Sequence, residues 1–113
     1  MASYFLDKMT PRIQQLEQFA KDEPHDPFNV YALALEYQKF DIPRALGLFE
    51  QLVILHPDYV PTYYHLAKLQ AFTGDVAYAL KTFKSGMIAA QKVGDHKAMR
   101  ELKSALEELE EEL

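Results

Sequence analysis

Apolar positions along this chain recur with the period of a helix, in segments set apart by proline, glycine and aspartate. Ile13, Leu16 and Phe19, and again Met99, Leu102 and Leu106, stand three or four residues apart, the spacing that places side chains on one helix face. Between Phe28 and Tyr37 only Asn29 and Glu36 are strongly polar, so that stretch reads as a helix covered on most sides. Thr10-Pro11 and Asp26-Pro27 each read as an N-cap followed by a first-turn proline. Asp41 with Pro43, and Pro61, open two further helices, while Gly74-Asp75 and Gly94-Asp95 each stop one helix and cap the next. No segment alternates apolar and polar residues between turn signals, so no strand is expected. The punctuation predicts six helices, at 11–22, 27–39, 42–55, 61–72, 75–92 and 96–112, with a short turn over 3–9.

The pattern also repeats on a longer scale. Ala45, Leu46 and Phe49 recur as Ala79, Leu80 and Phe83, an offset of 34 residues. Val30, Leu33 and Ala34 recur as Tyr63, Leu66 and Ala67, an offset of 33. Pro24 precedes Val30 by the same distance as Pro57 precedes Tyr63. The missing residue falls in the turn between paired helices, where a deletion leaves both helical faces in register.

These residues resemble the tetratricopeptide-repeat (TPR) motif. Val30, Leu33, Ala34, Tyr37, Ala45, Phe49 and Pro57 supply one copy, and Tyr63, Leu66, Ala67, Ala79 and Phe83 a second, with the Gly74-Asp75 turn usual in that family. The second copy departs twice: Gln70 stands where an aromatic is usual, and Gln91 where a proline would close the helix, so the last full helix should run on to Gly94. The resemblance implies an all-α fold, an antiparallel helix-pair solenoid with two full repeats flanked by capping half-repeats. Residues 1–113 then form one TPR domain, with a capping helix at 11–24, repeats at 25–57 and 58–94, and a second capping helix at 95–113. Caps are needed because each repeat buries its apolar face only against a neighbour. In such a pair Ala34, Ala45, Ala67, Ala79 and Gly86 let helices approach while Phe49 and Phe83 fill the core.

Composition narrows the function classes. The formal charge is −5, but Glu107, Glu108, Glu110, Glu111 and Glu112 lie together at the end and the rest of the chain is balanced. A balanced body without a basic run gives no footprint for nucleic acid or for an anionic membrane. The chain has no cysteine, its start lacks a signal-peptide pattern, and its longest apolar run, Leu52 to Leu55, is far short of a span, so a cytoplasmic location is the expectation. Acids at a helix C-terminus oppose its dipole, so the helix is expected to fray past about Leu109. No two of His25, His56, His65 and His96 share the spacing of a helical metal site, and there is no phosphate loop, cysteine nucleophile or serine elbow. No enzyme activity, cofactor or metal is expected.

TPR ligands sit on the concave face, lined by the first helix of each pair, so the resemblance implies a scaffold for a protein or peptide. Helical spacing gives the candidate stripe: Tyr31, Leu35 and Gln38 at i, i+4 and i+7, then Tyr64, Lys68 and Ala71, then Arg100 and Ser104 with Lys97 one turn earlier. A competing reading has Tyr31 and Leu35 covered by the first capping helix. The family's carboxylate clamp lacks its residues here, because Tyr31 and Leu35 occupy the places of its lysine and asparagine. Lys68 and Arg100 could still hold one acidic group, a guanidinium accepting a carboxylate in bidentate fashion. The alternative is self-association, a homodimer formed through an uncapped apolar edge or the tyrosine-rich face.

Overall fold

Proline and aspartate open the helices where the sequence places them. The computed structural model describes residues 8–113, so most of the turn expected over 3–9 lies outside the described residues. Six helices lie wholly among those described: α1 (Pro11–Asp22), α2 (Pro27–Tyr37), α3 (Ile42–Leu55), α4 (Pro61–Phe72), α5 (Val76–Val93) and α6 (His96–Glu111). The described residues contain no strand. Thr10 Oγ1 accepts from the Ile13 N–H, Asp26 from Phe28 and Asp95 from Ala98, so side chains take up first-turn donors that would otherwise lack partners.

Three helix ends differ from expectation or explain it. α2 stops at Tyr37 instead of residue 39, because the N–H groups of Phe40 and Asp41 both turn back onto the Tyr37 carbonyl, at 3.0 and 2.7 Å. α5 runs to Val93, as the absent proline implies, and Gly94 ends it with φ 75°. The Asp95 N–H then reaches the Ala90 carbonyl at 2.9 Å, a closure that needs a left-handed residue and so favours glycine. α6 stays helical to Glu111, beyond the expected fraying point. Leu109 is buried there, and that packing offsets the unfavourable charge at the helix end.

The chain divides into two compact units, Met1–Leu52 and Val53–Leu113, with the boundary inside α3. In the first, α1 packs on α2, and Ile13, Leu16, Leu33, Ala34, Ala45, Leu48, Phe49 and Leu52 are buried. Phe19, grouped by its spacing with Ile13 and Leu16, is instead 44% exposed. Tyr37 donates to Glu17 Oε1 at 2.8 Å, and the Arg44 guanidinium lies 5.4 Å from the centre of its ring. Glu36 pairs with both Arg12 and Lys39 at 3.1 Å.

In the second unit α4 packs on α5 and α5 on α6. Tyr63, Ala67, Ala79, Phe83, Ala90, Leu102, Leu106 and Leu109 make its core. The Tyr63 hydroxyl donates to the Pro57 carbonyl at 2.6 Å, tying the turn before α4 to that helix. Four of the six matched pairs are buried in both copies: Leu33 and Leu66, Ala34 and Ala67, Ala45 and Ala79, Phe49 and Phe83. Leu46 and Leu80 are half-buried in both, and Val30 is half-buried where Tyr63 is buried. The internal repeat is therefore a repeat of depth, with the same positions facing inward each time.

Candidate ligand groove on the second unit

Leu66, Ala67 and Gln70, buried on one side of α4, leave other positions to larger, exposed residues. Those are Tyr64, Lys68 and Phe72. The Tyr64 ring meets Phe83 edge-on, with centroids 6.4 Å apart, and lies 5.7 Å from the His65 ring. Burial holds the His65 imidazole below its ordinary range.

Two cavities open over this surface. The first, about 330 Å³, is lined by Tyr64 of α4 and by Arg100, Glu101, Ser104, Ala105 and Glu108 of α6. The second, about 300 Å³, is lined by Lys68, Ala71, Phe72, Phe83, Ala105, Glu108, Leu109 and Glu112. Ala105 and Glu108 belong to both, so the two adjoin as one groove with α4 on one side and α6 on the other.

The groove brings together Tyr64, Arg100 and Ser104 at one end and Lys68 and Ala71 at the other. Lys68 and Arg100 line different cavities instead of converging on one point. Lys97 lines neither; its side chain is exposed, with Glu101 at 4.0 Å. On the first unit Tyr31 and Leu35 are half-buried on α2 and Gln38 is half-buried just past its end, and burial pushes the Tyr31 phenol up.

Sequence reasoning missed Phe72, Glu101, Glu108, Leu109 and Glu112. A signal for two of them was present: the four-residue step from Arg100 to Ser104 leads on to Glu108 and Glu112. Among the described residues no three His, Asp or Glu side chains group as a metal site, and no helix is long and apolar enough to cross a membrane. What the groove offers is apolar surface edged with charges of both signs.

Solved structures carry the same fold at recognisable sequence similarity. A tetratricopeptide repeat domain protein from Salinibacter ruber, in a crystal structure, is 45% identical, with 75% of this chain and 96% of that one covered and a TM-score of 0.72. This chain belongs to the tetratricopeptide-repeat family. The solution structure of a Salinibacter ruber TPR domain protein agrees, at 45% identity over 77% of this chain and 89% of that one, TM-score 0.74. A Bordetella parapertussis protein is 26% identical over 92% of this chain and 91% of its own, TM-score 0.77. No family model matches the chain, and a search of curated proteins finds no match.

Proposed function

We propose that this TPR protein is a non-catalytic, cytoplasmic scaffold that holds a peptide or protein segment in the groove between α4 and α6. The observation that carries the reading is apolar surface left open there: Phe72 is 76% exposed, beside the half-buried Ala71, at a cavity whose lining also includes the buried Phe83 and Leu109. Tyr64 adds a rigid aromatic at the other end, of the kind enriched where binding energy concentrates. Residues 25–57 and 58–94 act as full repeats, with α1 and α6 as caps. Tyr31, Leu35 and Gln38 occupy the corresponding first-helix stripe of the first repeat, on the first unit. Lys68 and Arg100 make no ion pair among the described residues, and each is open to an oxygen of the ligand at its own end of the groove. The ligand's overall charge is a separate question from where it sits.

Pull-down from native extract tests the groove. Phe72→Ser and Tyr64→Ala should each lose partners that the wild type recovers, with circular dichroism unchanged. Equal recovery by folded variants would move the site elsewhere. A second reading, self-association, is favoured by the exposed Ile54, Tyr78 and Ile88 of the same unit. Sedimentation over a range of concentrations separates it, because a reversible dimer shifts with concentration and a monomeric scaffold does not.

A further inference from the structure

The two cations that the helical stripe puts on this face, Lys68 and Arg100, would by themselves select an acidic ligand. The complete lining is different. Arg100 shares its cavity with Glu101 and Glu108, and Lys68 shares its cavity with Glu108 and Glu112. Glu108 and Glu112 make no ion pair among the described residues. Across the groove three carboxylates, Glu101, Glu108 and Glu112, therefore stand against two cations. Lys97 lies 4.0 Å from Glu101, so the excess falls in the second cavity, where Glu108 and Glu112 face Lys68 alone. Backbone charge points the same way. The second cavity is lined by Ala71 and Phe72 at the C-terminal end of α4 and by Leu109 and Glu112 at the C-terminal end of α6. Each helix brings the negative end of its dipole to that place. The same cavity holds the exposed Phe72 with Phe83 and Leu109.

We infer that the groove takes a partner segment in which a lysine or arginine stands beside an apolar side chain. The inference rests on the groove being the binding site. The apolar side chain covers Phe72 and Leu109, the basic group lies against Glu108 and Glu112 near the two helix ends, and Arg100 at the far end takes a carboxylate or main-chain oxygen of the same segment. An acidic segment without a base meets Glu108 and Glu112 against the single cation Lys68 in the second cavity.

A phage-displayed heptapeptide library, panned in parallel on the wild type, Glu108→Lys, Glu111→Lys and Phe72→Ser, tests this. Glu111 lies on α6 but lines neither cavity. The wild type should enrich Lys or Arg next to an aromatic or aliphatic residue, and Glu108→Lys should turn that preference toward Asp and Glu. A synthetic, end-capped peptide from the wild-type selection should bind Glu108→Lys about tenfold more weakly and Glu111→Lys within about twofold of wild type. No enrichment, or equal losses in the two Glu→Lys variants, would overturn the inference, the second because diffuse charge on α6 would then explain the preference. Enrichment of acidic peptides whose binding is lost in Phe72→Ser would overturn it while leaving the groove as the site. A basic peptide that binds Phe72→Ser as well as it binds wild type would remove the groove reading itself.

Discussion

Tyr37 of the first unit and Gln70 of the second occupy the same place in the repeat and are buried alike, at 6% and 8% exposure. Their chemistry differs. The Tyr37 hydroxyl reaches a carboxylate, Glu17, with Arg44 alongside, so this position of the first unit ends in charge. Gln70 keeps its polar group within the second unit, accepting from Thr82 Oγ1 at 2.7 Å. The repeat fixes how deep the position lies, and the side chain must then satisfy whatever polar atom it carries to that depth. An aromatic with a charged partner and an amide with a hydroxyl partner both do so.

The units differ more sharply at their helical glycines, and the largest expected effect lies there. A Cβ on Gly47 in α3 would have no heavy atom within 4 Å, whereas one on Gly86 in α5 would lie 2.5 Å from Tyr63 Cβ and 3.1 Å from Leu102 Cδ1. Tyr63 Cβ is held by the α4 backbone and cannot swing away. Gly86→Ala should destabilise by ~1–3 kcal/mol through overpacking. Gly47→Ala should stabilise by up to ~1 kcal/mol, from helix propensity alone. Urea midpoints check both, and a Gly86→Ala protein as stable as the wild type would mean that α4 and α5 are not in close contact at this point.

The polar positions come next. Thr82→Val leaves the Gln70 amide oxygen buried without its partner and should cost ~1–3 kcal/mol, while the double change Gln70→Leu with Thr82→Val should recover most of that. Tyr37→Phe removes a bond to a partly exposed carboxylate, and its expected cost is smaller, ~0.5–1.5 kcal/mol. If the double variant is no better than Thr82→Val alone, the amide is not satisfied through that hydroxyl and the proposed equivalence of the two positions fails.

Much of this architecture is legible in the sequence because it rests on local signals. Pro11, Pro27 and Pro61 begin helices, Gly94 ends one, and the spacing of Ala45, Phe49, Ala79 and Phe83 marks which side chains face inward. The groove is legible only in part. Tyr64, Lys68 and Arg100 follow from helical spacing, but Glu108 and Glu112 sit in a run of acids that reads as a solvated end. Which of those acids line a cavity depends on how α6 lies against its neighbours, through burial of Leu102, Ala105, Leu106 and Leu109. Phe72 is an ordinary apolar residue in sequence, and its exposure follows from its place at the end of α4. The close approach at Gly86 is expected from the repeat resemblance, and the coordinates add which atoms it meets, Tyr63 Cβ and Leu102 Cδ1, where Gly47 meets none.

Acid should separate the two units by a smaller margin, and the sign follows from which group titrates first. Burial holds the His65 imidazole below its ordinary value in the folded second unit. The folded state therefore binds this proton less readily than the unfolded chain. Its contribution is fully present above the unfolded value of about 6.5 and is lost as pH falls through the folded one. In the first unit the comparable group is Glu36, lowered chiefly by its hydrogen bond from Lys39 and further by Arg12, against an opposing effect of burial. Its contribution persists down to the ordinary carboxylate range, near 4.3 for glutamate, and fades only below that. Between about pH 7.5 and 5.5 the second unit should thus weaken while the first holds. Amide hydrogen exchange, corrected for the intrinsic pH dependence, should show protection in α4 falling over this interval while that in α2 stays level. His65→Gln should flatten the α4 response, since its amide does not titrate, and Glu36→Gln should leave it unchanged. Equal loss of protection in α2 and α4, or an α4 response that survives His65→Gln, would show that the half-buried imidazole is not what ties the second unit to pH.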